Sequence, residues 1–189
     1  MNPADYSVYF NIAQRPFDGY FSAAFGLLWA IGICFVAAAE SGIKRVLLFG
    51  FAAAFALFSL NWSWMLYQDY SELREAFHAG RAEMLEGRVQ EFERDAAGGK
   101  GPETFKIAGH RFEIWQAHAS MAFHNTVSGG GPNLANQCVL VFFVPTEYGD
   151  EIVWLGTRTN GVCADNPTNV AGAVQTTVSS LANPSTSTP

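Results

Sequence analysis

Basic residues are scarce: 11 Lys and Arg stand against 17 Asp and Glu, a formal net charge of −6. Binding nucleic acid requires a basic patch that displaces counterions, so this balance argues against a nucleic-acid partner. The three cysteines contain no Cys-x-x-Cys pair, and the four histidines place no two on one helical face. His110, His118 and His124, with Cys138, are the residue types that could ligate a transition metal, but their spacing matches no zinc signature, and no metal is expected. The glycine run 129–131 is followed by Pro132, not by the Lys-Ser/Thr of a phosphate loop, which points to a turn with positive φ. Glu86, Glu91, Glu93 and Asp95 read as charges on the solvent face of a strand and its turn, with nothing pairing them as acid and base. No catalytic constellation and no cofactor are expected.

Charge is also missing locally, and here the absence is constructive. Residues 19–39 and 46–68 are almost free of charge. Each is about 20 residues long, the length a helix needs to cross a hydrocarbon core of about 30 Å. Both read as transmembrane helices. Ala37-Ala38-Ala39 resembles a signal-peptide cleavage site, but the segment before it carries Asp5, Arg15 and Asp18 and has no basic leader, so the first span is read as retained. The six-residue connector 40–45 makes the helices antiparallel neighbours, and its Lys44-Arg45 pair places it in the cytoplasm by the positive-inside rule. Tyr6, Tyr9, Phe10, Phe17 and Tyr20 before the first span, with Trp62, Trp64, Tyr67 and Tyr70 closing the second, read as an interfacial aromatic belt. Gly26, Ala30, Cys34 and Ala38 recur every four residues, as do Gly50 and Ala54. Such small-residue stripes let helices approach closely, within the hairpin or between copies in a homo-oligomer.

Residues 71–80 continue helically as a stalk, loosened at Gly80. Beyond it the apolar period changes from helical to alternating. Strands are expected at 85–94, 103–108, 111–115, 137–144 and 152–158, with a weaker one near 117–123, and Gly-rich turns between them. The run 138–144 is apolar on both faces and reads as the central strand. The resulting fold class is an α+β membrane protein: an antiparallel two-helix transmembrane hairpin, a small antiparallel β-barrel of OB-like or SH3-like type, and a disordered tail. The expected divisions are 1–18 (interfacial segment), 19–80 (hairpin and stalk), 81–158 (β-barrel) and 159–189 (tail, rich in Thr, Ser, Asn and Pro).

The stretches "VYFNIAQRPFDGYF", "LEGRVQEFER", "ETFKIAGHRFEIW" and "GGGPN" resemble a group of small bacterial membrane proteins with two transmembrane helices and a C-terminal β-domain. In that group a "GGPI"-like turn leads into the last strands, whereas here Asn133 occupies the fourth position. The resemblance implies the layout just given and no activity.

From these readings the chain is expected to act as an accessory or interaction protein in a bacterial inner membrane, its β-domain periplasmic and its partners the lipid bilayer and another protein or its own copies. Trp115, Phe123, His118, His124 and Gly130 are the candidate contact residues. A ligand sensor or enzyme with a pocket near His118, His124 and the glycine loop is the alternative. Cys138 and Cys163, the two thiols outside the spans, are candidates for a disulfide in an oxidising compartment.

Overall fold

The computed structural model describes residues 5–94, 101–116, 120–147, 149–159 and 163. The chain divides into two compact units, one of residues 16–70 and one formed by residues up to Arg15 together with those from Ser71 onward.

The first unit is a pair of helices, α1 (Tyr20–Ala39) and the greater part of α2 (Ile43–His78), both long and apolar enough to cross a membrane. Their outward faces carry large apolar side chains; Leu28, Phe35 and Ile43 are 68%, 75% and 76% exposed. The helices meet along Gly26, Ala30 and Ala37 of α1 and Ala52, Ser59 and Ser63 of α2, all buried. A Cβ at Gly26 would collide with the Ser59 side chain, so glycine sets the approach there. The contact therefore shares Gly26 and Ala30 with the four-residue stripe but then passes to Ala37, while Ala38, Gly50 and Ala54 are exposed and Cys34 is half-buried. Helices that stay in contact follow a period near 3.5 residues, so a strict spacing of four drifts off the seam after two steps. At the chain-terminal end of the pair, Ser22 Oγ lies 2.7 Å from Ser63 Oγ, and both hydroxyls donate to the Gly19 carbonyl. Phe17 packs beside them against Tyr67 and Tyr70.

α2 ends in a Schellman turn: Arg81 N–H donates to the Ala76 carbonyl and Gly80 N–H to that of Phe77, with Gly80 at φ 68°. Its last turns form no free stalk. Leu73, Ala76 and Phe77 are buried, and the Phe77 ring meets Phe142 edge-on.

The second unit is built on a six-stranded antiparallel sheet in the order β1-β6-β5-β2-β3-β4, with β1 at Tyr6–Asn11, β2 at Glu83–Glu93, β3 at Glu103–Ile107, β4 at His110–Ile114, β5 at Cys138–Thr146 and β6 at Gly149–Arg158. β5 is central and buried along Cys138–Phe143, as its apolar run requires. β2 is shared between two halves of the sheet: residues 83–88 pair with β5, and beyond them Val89 and Gln90 pair with β3. A register shift follows between Gln90 and Glu93, where Glu91 takes φ 48°. Among the described residues the sheet does not close. It ends at β1 and β4, so the expected barrel is an open, curled sheet.

Three sequence expectations change here. Tyr6–Asn11, for which the sequence suggested no strand, pairs with β6, and Tyr6 and Phe10 are buried within the sheet unit. Residues 120–123 are not a strand, although Phe123 N–H donates to the Ile152 carbonyl. Glu86, read as solvent-facing, is 2% exposed. It accepts a 2.9 Å hydrogen bond from the Tyr6 hydroxyl, and Arg158 Nε lies 3.6 Å from the same carboxylate oxygen. Burial pushes the Tyr6 phenol pKa well up, and the Glu86 hydrogen bond and negative charge push it the same way against the opposing Arg158.

A disulfide joins Cys138 at the start of β5 to Cys163 beyond β6, with 5.3 Å between their Cα atoms. Thr159 is held by the N-terminal stretch through two bonds to the Asp5 carbonyl. The expectation of a disordered tail otherwise falls outside the described residues, as does Asp95.

Candidate functional site

The cleft that matters lies where the sheet fails to close. It has a volume of about 600 Å³ and is walled by Arg111, Glu113 and Trp115 on one side and by Ser120, Ala122, Phe123, His124 and the first residues of β6, Gly149–Ile152, on the other. Strand alternation explains the first wall: Phe112 and Ile114 are buried, which turns Arg111, Glu113 and Trp115 to the opposite face. The second wall is held in place by the Phe123 N–H bond to Ile152 and by the Phe123 ring, 5.7 Å from that of Phe10.

Polar groups in the cleft are mostly acceptors. Glu151 accepts from the Ser120 hydroxyl at 2.9 Å, and Arg111 Nε lies 3.6 Å from Glu113. His124 Nδ1 is 2.9 Å from the Ala122 carbonyl. A carbonyl only accepts, so Nδ1 carries the proton and Nε2 of the neutral ring is an acceptor. Asp150 Oδ2 lies 2.6 Å from His110 Nε2, and the His110 ring packs against Phe112 and Phe143, which also meet each other edge-on.

Of the candidates read from the sequence, Trp115, Phe123 and His124 come together in this cleft. Gly130 does not. It is an exposed left-handed residue, φ 87°, ending the short 3-10 turn Val127–Gly129. That loop is organised for shape: Thr126 Oγ1 accepts from Gly129 N–H and donates to Gln116, while the buried Glu103 carboxylate accepts from Val127 N–H. A Cβ at Gly131 would collide with the Asn125 backbone. His118 lies outside the described residues. The sequence reading missed Arg111, Glu113, Asp150 and Glu151. The signal for the first two was present in the alternation of "HRFEI", whose charged positions oppose its apolar ones.

Among the described residues no three His, Cys, Asp or Glu side chains are grouped to hold a metal. None of the protein-family models, curated proteins or solved structures compared with the chain matches it.

Proposed function

We propose that the helical hairpin is inserted in a bacterial inner membrane and displays the sheet unit on the periplasmic side, where the cleft beside β4 binds a partner protein. The carrying observation is the cleft itself, walled by aromatic and charged side chains at the open end of the sheet. Among described residues outside the helices, Val8, Tyr9 and Trp115 are the large apolar side chains left exposed, and Trp115 is in this cleft. Insertion is supported by the apolar outward faces of α1 and α2, and an oxidising compartment by the Cys138–Cys163 disulfide. Lys44 and Arg45 in the connector favour the matching orientation.

The test is site-specific photo-crosslinking in intact membranes. A benzoyl-phenylalanine in place of Trp115 should yield a discrete adduct with another protein, and the same group in place of the exposed Arg88, on β2, should not. The same crosslinks from both positions, or none from position 115, would remove the cleft as a contact site.

A small ligand in the same cleft is the second reading. Its volume of about 600 Å³ is in the range of small-molecule sites, and half-buried His124 faces it beside other polar groups.

A further inference from the structure

The rim of the cleft is also the edge of the sheet. β3 and β4 are joined by the two-residue turn Ala108-Gly109, with φ of 50° and 85°, and Ile107 stands opposite His110. In such a hairpin the residues flanking the turn exchange both backbone hydrogen bonds, and bonded and non-bonded pairs alternate from there. Ile107–His110, Phe105–Phe112 and Glu103–Ile114 are then the bonded pairs. Arg111 and Glu113 therefore direct their N–H and C=O groups to the outer edge of β4, where no strand pairs among the described residues. The same two residues line the cleft with their side chains. An edge of this kind is a template for another extended backbone.

The cleft chemistry indicates which backbone fits. The carboxylates of Glu113, Asp150 and Glu151 outnumber the Arg111 guanidinium, and Trp115 adds an aromatic face. Acceptors beside an aromatic ring suit an ammonium or guanidinium group. A second copy of this chain is a poor occupant, because it would set these carboxylates against their own like and brings a net charge of −6.

Resting on the protein-contact reading above, we propose that β4 receives an extended segment of the partner as an added strand, with a Lys or Arg of that segment placed among Glu113, Asp150 and Glu151. Main-chain bonds to Arg111 and Glu113 supply affinity, and the carboxylates supply selectivity for a basic side chain.

The experiment measures anisotropy of fluorescent octapeptides with the full chain in nanodiscs. The peptides alternate Lys with Val or Glu with Val, and the Lys peptide is also made with its Lys or its Val amides N-methylated. The Lys peptide should bind at least about tenfold more tightly than the Glu peptide, and Glu113→Lys should weaken it by about tenfold with circular dichroism unchanged. At least one N-methylated form should lose about tenfold in affinity, because its bonding edge is blocked. Equal binding of Lys and Glu peptides, or binding indifferent to both methylations, overturns the proposal. A position-115 adduct with another protein, found alongside such peptide failure, would overturn strand addition by a basic segment and leave the contact reading standing. No adduct and no peptide binding would overturn both. An adduct between two copies alone would replace the basic partner by self-association.

Discussion

His110 Nε2 stands 2.6 Å from Asp150 Oδ2 and so ties the first residue of β4 to β6, two strands that are not neighbours in the sheet. The link holds the curl of the sheet beside the cleft, with the His110 ring packed on Phe112 and Phe143. Asp150→Ala should lower stability toward urea by about 1 kcal/mol, the usual worth of such a half-exposed bond. Backbone amide exchange at Arg111 and Glu113 should change less than at Phe112, which bonds into β3; faster exchange confined to residues far from β4 would contradict the latch.

The Tyr6–Glu86 bond makes a pH prediction. A phenol whose folded pKa is raised above its unfolded value of about 10 keeps its proton in the folded state while the unfolded chain releases one. Its stabilising contribution is complete below about pH 10 and falls as pH rises beyond that. Urea midpoints should thus drop between pH 10 and 11 more steeply in the natural chain than in Tyr6→Phe. At neutral pH the same substitution should cost about 1.5–3 kcal/mol, since the lost partner is a buried carboxylate. Parallel alkaline profiles for the two proteins would exclude Tyr6 as the titrating group.

What the sequence made legible was whatever a local period encodes. Alternation located β3 and β4, an unbroken apolar run located the central β5, and charge-free length located both helices. β1 was hidden because its partner, β6, lies far along the chain, and its Tyr-Val-Tyr-Phe content just before an apolar span looks the same as an interfacial belt. Glu86 was misread for a related reason. A carboxylate on a strand reads as solvent-facing unless Tyr6 and Arg158 are known to meet it. The cleft was half legible: Trp115, Phe123 and His124 are conspicuous residues, but Asp150 and Glu151 enter only through the way β6 comes back against the segment after β4.

The helix seam separates glycines that a four-residue spacing treats alike. Gly26→Leu must displace Ser59 and should lower the thermal midpoint of the detergent-solubilised protein, at a cost of about 1–3 kcal/mol. Gly50→Leu adds a side chain where nothing lies within 4 Å and should leave that midpoint unchanged. If Gly50→Leu instead lowers the solubilised mass by size-exclusion with light scattering, the exposed stripe of α2 is packed against another copy.

The disulfide closes a loop of sequence separation 25, for which chain-entropy arguments give about 3.5 kcal/mol of stabilisation. Reduction should lower the urea midpoint of the sheet unit, and the double variant Cys138→Ser, Cys163→Ser should show the lowered midpoint without responding to reductant. The membrane orientation can be read from the same chemistry. In intact cells a cysteine introduced by Ser41→Cys in the Cys34→Ala background should resist a membrane-impermeant maleimide until lysis, because the Lys44-Arg45 connector faces the cytoplasm in the proposed topology. Cys163 should label from outside the inner membrane only after reduction. Labelling of position 41 before lysis would invert the hairpin, put the sheet unit in the reducing compartment, and remove the physical basis for a persistent Cys138–Cys163 bond.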